Sequence, residues 1–325
     1  MRKVLIPLVV VGLILILKTP IDKRSPNIKT VSPTRIPVPT IVGERLDFFE
    51  TEAVFIPEWN LLEETILHNG YDRWIYFGSS DKMDVFSEAL PNRSLWMTVK
   101  ATSVEELEKI NTRDFNLQKF KGIVLDLEIN GIATEKLVAE INSEVRRIFT
   151  DVKKSDLKFA LALYGDLFYR KRPYDLKSLN GMSDEIMIMA YDFHKSYGEP
   201  GPNYPYSDFM KMVDDYTEVV PPEKITVIFG MYGYNWTLRD GKPLKPAASM
   251  TLAQIKSGYL GKKCYETDCK VIVDEQSKEK MITYKDDKGD NHVVYFEDEE
   301  SVEVKKRYLR EKGIGSTAYW AWGYF

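Results

Sequence analysis

From about residue 50 onward, short apolar runs alternate with segments whose apolar residues fall at helical spacing. The runs are AVFIP from Ala53, RWIYFG from Arg73, LWMTV from Leu95, GIVLDLEI from Gly122, KFALAL from Lys158, EIMIMAY from Glu185, ITVIFGMYG from Ile225 and STAYWAW from Ser316. Their length and their content of β-branched and aromatic residues predict strands. The segments between them read as helices. In SVEELEKI, Ser103 and Glu106 stand at capping-box spacing, and in TEKLVAEINSEVRRIF, Leu137, Ile141, Val145 and Ile148 share one face. Eight such units predict an α/β fold, a TIM (β/α)8 barrel, with a doubly wound parallel sheet as the competing arrangement. The seventh and eighth strands are separated by a much longer stretch containing KVIVDEQSKEKMITYKDDKGDNHVVYF, which predicts a small α+β insertion over 238–295.

The beginning of the chain follows a different pattern. Arg2 and Lys3 precede an unbroken apolar run from Val4 to Leu17, closed by Lys18. That is an export signal, short for a spanning helix of about 20 residues and without an A-x-A cleavage site, so residues 1–20 are expected to be a signal-anchor rather than a cleaved signal peptide. The Pro-, Ser- and Thr-rich stretch within 21–45 reads as an extended linker, leaving 46–325 as the barrel. With this organisation the barrel is expected at the extracellular face of the cell membrane, or secreted or in the cell wall. The last strand run ends close to Phe325, too near for an ordinary helix to follow, so residues 40–50 are expected to fold back over that wall through Ile41, Leu46, Phe48 and Phe49.

Composition narrows the chemistry. With 44% hydrophobic residues, 29% charged and a net charge of −4, the chain reads as globular, carries no basic stripe and is no general nucleic-acid binder. Its three histidines are scattered without metal-ligand spacing, so no metal and no cofactor is expected. Cys264 and Cys269, the only cysteines, are spaced to close a small disulfide loop outside the cytosol, with free thiols as the alternative.

One strand carries acids. In GIVLDLEIN, alternation puts Ile123, Leu125, Leu127 and Ile129 on one face and Val124, Asp126, Glu128 and Asn130 on the other. If the second face points into the barrel, it is apolar toward its base and acidic at the C-terminal mouth, where barrel enzymes place their chemistry. Carboxylates at i and i+2 lie roughly 7 Å apart at Cα, from a rise of about 3.3 Å per residue, close enough for one pKa to rise. The alternatives are a solvated edge strand, or a divalent-cation site that would need further oxygen ligands.

The same strand resembles the D-G-x-D-x-D-x-E strand of glycoside hydrolase family 18, keeping Gly122, Asp126 and Glu128 but with Lys121 and Val124 in place of the earlier acids. Further along, MAYDFH resembles the family's M-x-Y-D strand at Met189, Tyr191 and Asp192, and GEPGPNYP its following loop. MYGYNW is similar to the seventh-strand motif at Tyr232, Gly233 and Trp236, with Gly230 where proline is usual, and YFEDEES followed by GIGSTAYWAWG resembles the closing segment, with Trp320 at the sugar-floor position. The pattern is most similar to the bacterial spore and cell-wall branch of the family.

The resemblance implies a monomeric enzyme acting on N-acetylglucosamine-containing polysaccharide, peptidoglycan or chitin, with the substrate's 2-acetamido group as nucleophile. Glu128 is then the proton donor, Asp126 the partner of the acetamido N–H, and Tyr191 a donor to its carbonyl oxygen. Trp320 would stack under the ring, with Asp192, Tyr232, Trp59 and Met189 around the sugar. By residue type alone, Trp320 and Trp322 also suit a barrel core, Tyr191 a core position, Asp192 a cap, and Tyr232 and Trp59 simple packing. With Val124 replacing the middle acid, Asp126 loses a neighbour, and a catalytically weak carbohydrate-binding wall protein is the alternative function.

Overall fold

The computed structural model describes residues 50–61, 70–260 and 269–325. The signal-anchor, the linker and the fold-back segment up to Phe49 lie outside these residues, and among the described residues no helix is long and apolar enough to cross a membrane. The first seven predicted runs form β1 (Thr51–Pro57), β2 (Arg73–Phe77), β3 (Leu95–Ala101), β4 (Gly122–Leu127), β5 (Lys158–Tyr164), β6 (Glu185–Ala190) and β7 (Ile225–Gly230). The insertion adds β8 (Tyr232–Arg239), β9 (Lys242–Thr251), β10 (Lys270–Val273), β11 (Lys280–Lys285) and β12 (Asn291–Phe296), and the eighth barrel strand is β13 (Ser316–Trp320). All barrel pairings are parallel, and β1 pairs with both β2 and β13. That closure excludes the doubly wound sheet, which would leave two free edges.

Helices α1 (Met83–Ala89), α2 (Val104–Lys109), α3 (Glu135–Lys153), α4 (Leu176–Asn180), α5 (Tyr206–Thr217), α6 (Leu252–Tyr259) and α7 (Glu299–Glu311) complete the described elements used below. On α3, Ile141, Val145, Ile148 and Val152 are buried, as the apolar spacing requires, and Thr134 caps its start. The capping box expected at α2 is half made. Ser103 accepts from the Glu106 N–H, but the Glu106 carboxylate takes the Thr102 N–H at 2.6 Å instead of closing back on Ser103.

Two features differ from the sequence pattern, the start of the insertion and the base of the barrel. The run ITVIFGMYG is interrupted at Met231, so the five-stranded antiparallel sheet, ordered β10-β11-β12-β8-β9, spans Tyr232 to Phe296. Apolarity continues across the break because Tyr232, Tyr234 and Trp236 are buried in a cluster with Ala247 of the insertion while the preceding residues are buried in the barrel. The base of the barrel is also polar rather than wholly apolar. Arg73 on β2 reaches across to Glu185 on β6 at 2.5 and 2.8 Å, with Thr226 and Ser316 alongside. Its guanidinium lies 5.1 Å from the Trp96 ring centre, and Trp96 in turn fills the space at Gly122, where a Cβ would sit 2.6 Å from the ring.

A second buried ion group joins insertion and barrel. Lys305 of α7 lies 3.0 Å from Glu279, just before β11, and pairs directly with Glu297, just after β12; all three are fully buried. Glu279 also accepts the N–H groups of Asn203 and Tyr204 at 2.6 and 2.7 Å. Cys269 is disulfide-bonded, as the spacing anticipates, and the one other cysteine, Cys264, lies outside the described residues.

Candidate active site

Asp126 ends its strand's inward row at the C-terminal mouth, level with Lys100 of β3 and Ala162 of β5, and Glu128 follows immediately beyond β4. Asp126 is 6% exposed. Burial, then the Glu128 charge and a hydrogen bond with Glu128, push its pKa up to about 8, while Lys100 opposes the rise. The carboxyl is therefore protonated at neutral pH. Its Oδ1 has no hydrogen-bond partner. Below it stand Val124, fully buried, and its strand partners Thr98 and Ala160.

Glu128 is ion-paired with Lys100 at 2.5 Å and lies 3.2 Å from the Tyr164 hydroxyl. Tyr174 pins the backbone around it: its hydroxyl accepts the Ile129 N–H at 2.8 Å and stands 2.9 Å from the Leu127 carbonyl oxygen. These contacts hold the acid on a rigid strand end rather than a loose loop.

Tyr191 follows β6, facing the acids from across the mouth. Burial and the charges of Asp126, Asp192 and Glu128 raise its pKa well above that of an ordinary tyrosine, so it keeps its proton. Among the described residues its hydroxyl makes no hydrogen bond, which leaves a donor free for a ligand carbonyl. Asp192, with a left-handed φ of 60°, accepts the hydroxyls of Tyr232 at 2.5 Å and Tyr234 at 2.7 Å. Its backbone N–H is held by Asn203 at 2.8 Å. Gly230 allows this crowding, since a Cβ there would lie 2.7 Å from the Tyr191 Cβ; that close approach explains why proline is absent at this position.

Trp320 closes the opposite side, half-buried, with Phe77 edge-on at 4.7 Å and Phe55 at 5.7 Å. Trp59 is 56% exposed and meets Phe77 edge-on, extending this aromatic row outward. Trp320 also borders a cleft of about 400 Å³ with Tyr232, Tyr234, Thr251, Gln254 and Tyr324. Trp322 is core, packed against Trp74. Met189 is 4% exposed and pairs in register with Tyr164, so its position is within the wall beneath the mouth.

The structure thus brings Asp126, Glu128, Tyr191, Asp192, Tyr232, Trp320 and Trp59 to the C-terminal mouth. The sequence reading omitted Lys100, Tyr164, Tyr174 and Phe77. Inward parity along their strands would have found Lys100, Tyr164 and Phe77; Tyr174 lies in a loop and leaves no periodic signal.

This arrangement agrees with a family assignment. A model of the glycosyl hydrolases family 18 matches residues 59–324. The chain belongs to glycoside hydrolase family 18. Among its relatives, a cortical fragment-lytic enzyme of Bacillus anthracis is 29% identical over 153 residues, covering 46% of this chain and 34% of that protein. The human di-N-acetylchitobiase is 23% identical over 226 residues, covering 61% of this chain and 57% of that one. Against its first curated relatives, the chain spans about a third of their length, 34% in each case. Of solved structures, the spore cortex-lytic enzyme SleL of Bacillus cereus superposes with a TM-score of 0.67 at 18% identity, over 85% of this chain and 71% of that one. A chitinase from Chromobacterium violaceum gives 0.67 at 16% identity, over 85% and 95%. At those identities the likeness is one of fold. This family 18 barrel is related to both spore cortex-lytic enzymes and chitinases.

Proposed function

We propose that this family 18 barrel hydrolyses β-1,4 glycosidic bonds in N-acetylglucosamine-containing polysaccharide, peptidoglycan or chitin, by a retaining, substrate-assisted route. The observation that carries this is the pairing of the buried Asp126 carboxyl with the accessible Glu128 at the barrel mouth, facing a free Tyr191 hydroxyl. Glu128 gives a proton to the leaving glycosidic oxygen while the 2-acetamido oxygen attacks the anomeric carbon. Asp126 holds the acetamido N–H and, as positive charge develops on the cyclised group, stabilises it; Tyr191 donates to the acetamido oxygen. Trp320 supplies the apolar floor. No resident metal or cofactor is required. The basic and apolar pattern of residues 2–17 supports a site of action outside the cell membrane, secreted or in the wall.

The test is cleavage of N-acetylglucosamine oligomers and solubilised peptidoglycan against de-acetylated glucosamine oligomers by the purified full chain. Only acetylated substrates should be cut. Efficient cleavage of the de-acetylated polymer would exclude the acetamido nucleophile.

The unpartnered Asp126 Oδ1 above Val124 favours a second reading, a carbohydrate-binding wall protein with weak turnover. Tight binding of the oligomers with negligible cleavage of either polymer would establish that reading instead.

The Asp126 pKa gives a pH prediction. The Asp126 proton is present below about pH 8 and lost above it, so the alkaline limb of kcat/KM should fall near pH 8. Lys100 lowers that pKa, so Lys100→Met should move the limb to higher pH. A limb that stays in place, or moves down, in the pH profile of this variant would separate it from Asp126.

A further inference from the structure

The loops after β5 and β6 meet at the mouth beside the acid. Tyr169 packs on Phe193 at 5.4 Å between ring centres, and Arg170 donates to the Phe193 carbonyl oxygen at 3.3 Å. Although the whole chain is net acidic, this junction is rich in cations. Arg170 and Arg172 both pair with the single carboxylate of Asp166, at 2.5 and 2.8 Å, so the group keeps an excess positive charge. Arg172 also lies over Tyr164, 3.8 Å from its ring centre. Exposed Lys195 comes within 5.5 Å of the same ring, and neither it nor exposed Lys171 has a carboxylate partner among the described residues. Tyr164 is the residue whose hydroxyl stands 3.2 Å from Glu128. An uncompensated ammonium therefore sits one tyrosine ring away from the proton donor. The same two loops carry two exposed aromatic side chains, Tyr169 at 68% and Tyr197 at 72%.

A neutral N-acetylglucosamine polymer offers nothing to these cations. A glycan in which the sugar beside the scissile bond carries a carboxylate offers a charge-assisted partner next to the group that must protonate the bond. We propose that Lys195, supported by Lys171 and the excess charge of the Arg170–Asp166–Arg172 group, is a specificity determinant that selects carboxylate-bearing N-acetylglucosamine polymers over neutral ones. The inference rests on the glycan-cleaving reading of this site and deepens it by choosing a substrate class. The carboxylate belongs either to a lactyl ether on the sugar or to an attached peptide; both present the same charge.

The experiment compares three soluble substrates with the full chain: neutral N-acetylglucosamine oligomers, alternating glycans with free lactyl carboxylates, and the same glycans bearing peptides. Both kcat/KM and the calorimetric Kd are measured. The acidic-to-neutral selectivity ratio should fall about threefold in Lys195→Gln and about tenfold in Lys171→Gln/Lys195→Gln, as expected for exposed charge contacts. It should fall further in Lys195→Glu, and shrink with added salt in the unaltered chain. A fall confined to peptide-bearing glycans places the carboxylate on the peptide; one confined to the free lactyl glycans places it on the lactyl group, whose carboxyl becomes an uncharged amide once a peptide is attached; a fall with both means that either carboxylate is read. A ratio unaffected by any of these substitutions overturns the inference, while cleavage of all three substrates leaves the hydrolase reading standing. If none is cut, the hydrolase reading fails and the Kd ratio decides the role of Lys195 by the same criterion; a chain that binds none overturns both.

Discussion

Glu128→Gln should lower turnover by about 10² or more while leaving the Kd for an N-acetylglucosamine oligomer within a few-fold. The amide keeps the volume of the side chain and its reach to the Tyr164 hydroxyl, so the shape of the mouth is preserved. What it loses is a transferable proton, which matters only as the glycosidic bond breaks. The effect should therefore appear in kcat and not in binding. The ion pair with Lys100 is lost as well, but both side chains are partly exposed, at 39% and 29%, so this contributes little to stability. Single-turnover rates within a few-fold of the unaltered chain would remove Glu128 from the proton-donor role.

The largest effect on stability is expected at Lys305→Met. This substitution leaves Glu279 and Glu297 buried together without their cation, and breaking a buried ion group from one side costs about 3–5 kcal/mol. The deficit should depend on pH. Burial already pushes Glu297 up to about 7, with Lys305 opposing that rise and Glu279 adding to it. A folded-state pKa above the unfolded value of 4.5 means that stability falls as pH rises from 4.5 toward 7, because the folded chain retains a proton the unfolded chain releases. Removing the cation raises the Glu297 pKa further and widens that window. Denaturant melts should show a smaller loss near pH 5 than near pH 8. A loss under 1 kcal/mol at both would mean that the site relaxes or admits water. Because Glu279 also holds the Asn203 and Tyr204 N–H groups, and Asn203 holds the Asp192 N–H, loosening of the Asp192–Tyr232 contact should accompany it.

The barrel was legible because its strands are buried on both faces and its helices on one, so apolar runs and helical spacing recur at every unit. Asp126 and Glu128 stood out for the same reason: two charges on one face of a buried strand violate the pattern, and a site is where such violations are tolerated. Motif order then placed Tyr191, Asp192, Tyr232 and Trp320 near them. The break at Met231 was not legible, since Ile225–Gly230 and Tyr232–Trp236 are equally apolar and differ only in which body they fill.

What the sequence by itself determined is the repeating α/β architecture, the presence of an insertion and the identity of the acids, since each is set by local periodicity or by residue type at fixed spacing. Only the tertiary structure decided the partners. The Lys100–Glu128 pair, the Tyr164 and Tyr174 hydroxyls around β4, the Asp192–Tyr232–Tyr234 cluster and the Lys195 ammonium beside Tyr164 all join residues from different strands and loops. Those distances follow from barrel closure and strand register, which bring together side chains far apart in the chain. Protonation of Asp126 belongs to the same class, because it depends on how completely the closed barrel removes water from one carboxyl and which charges it leaves nearby.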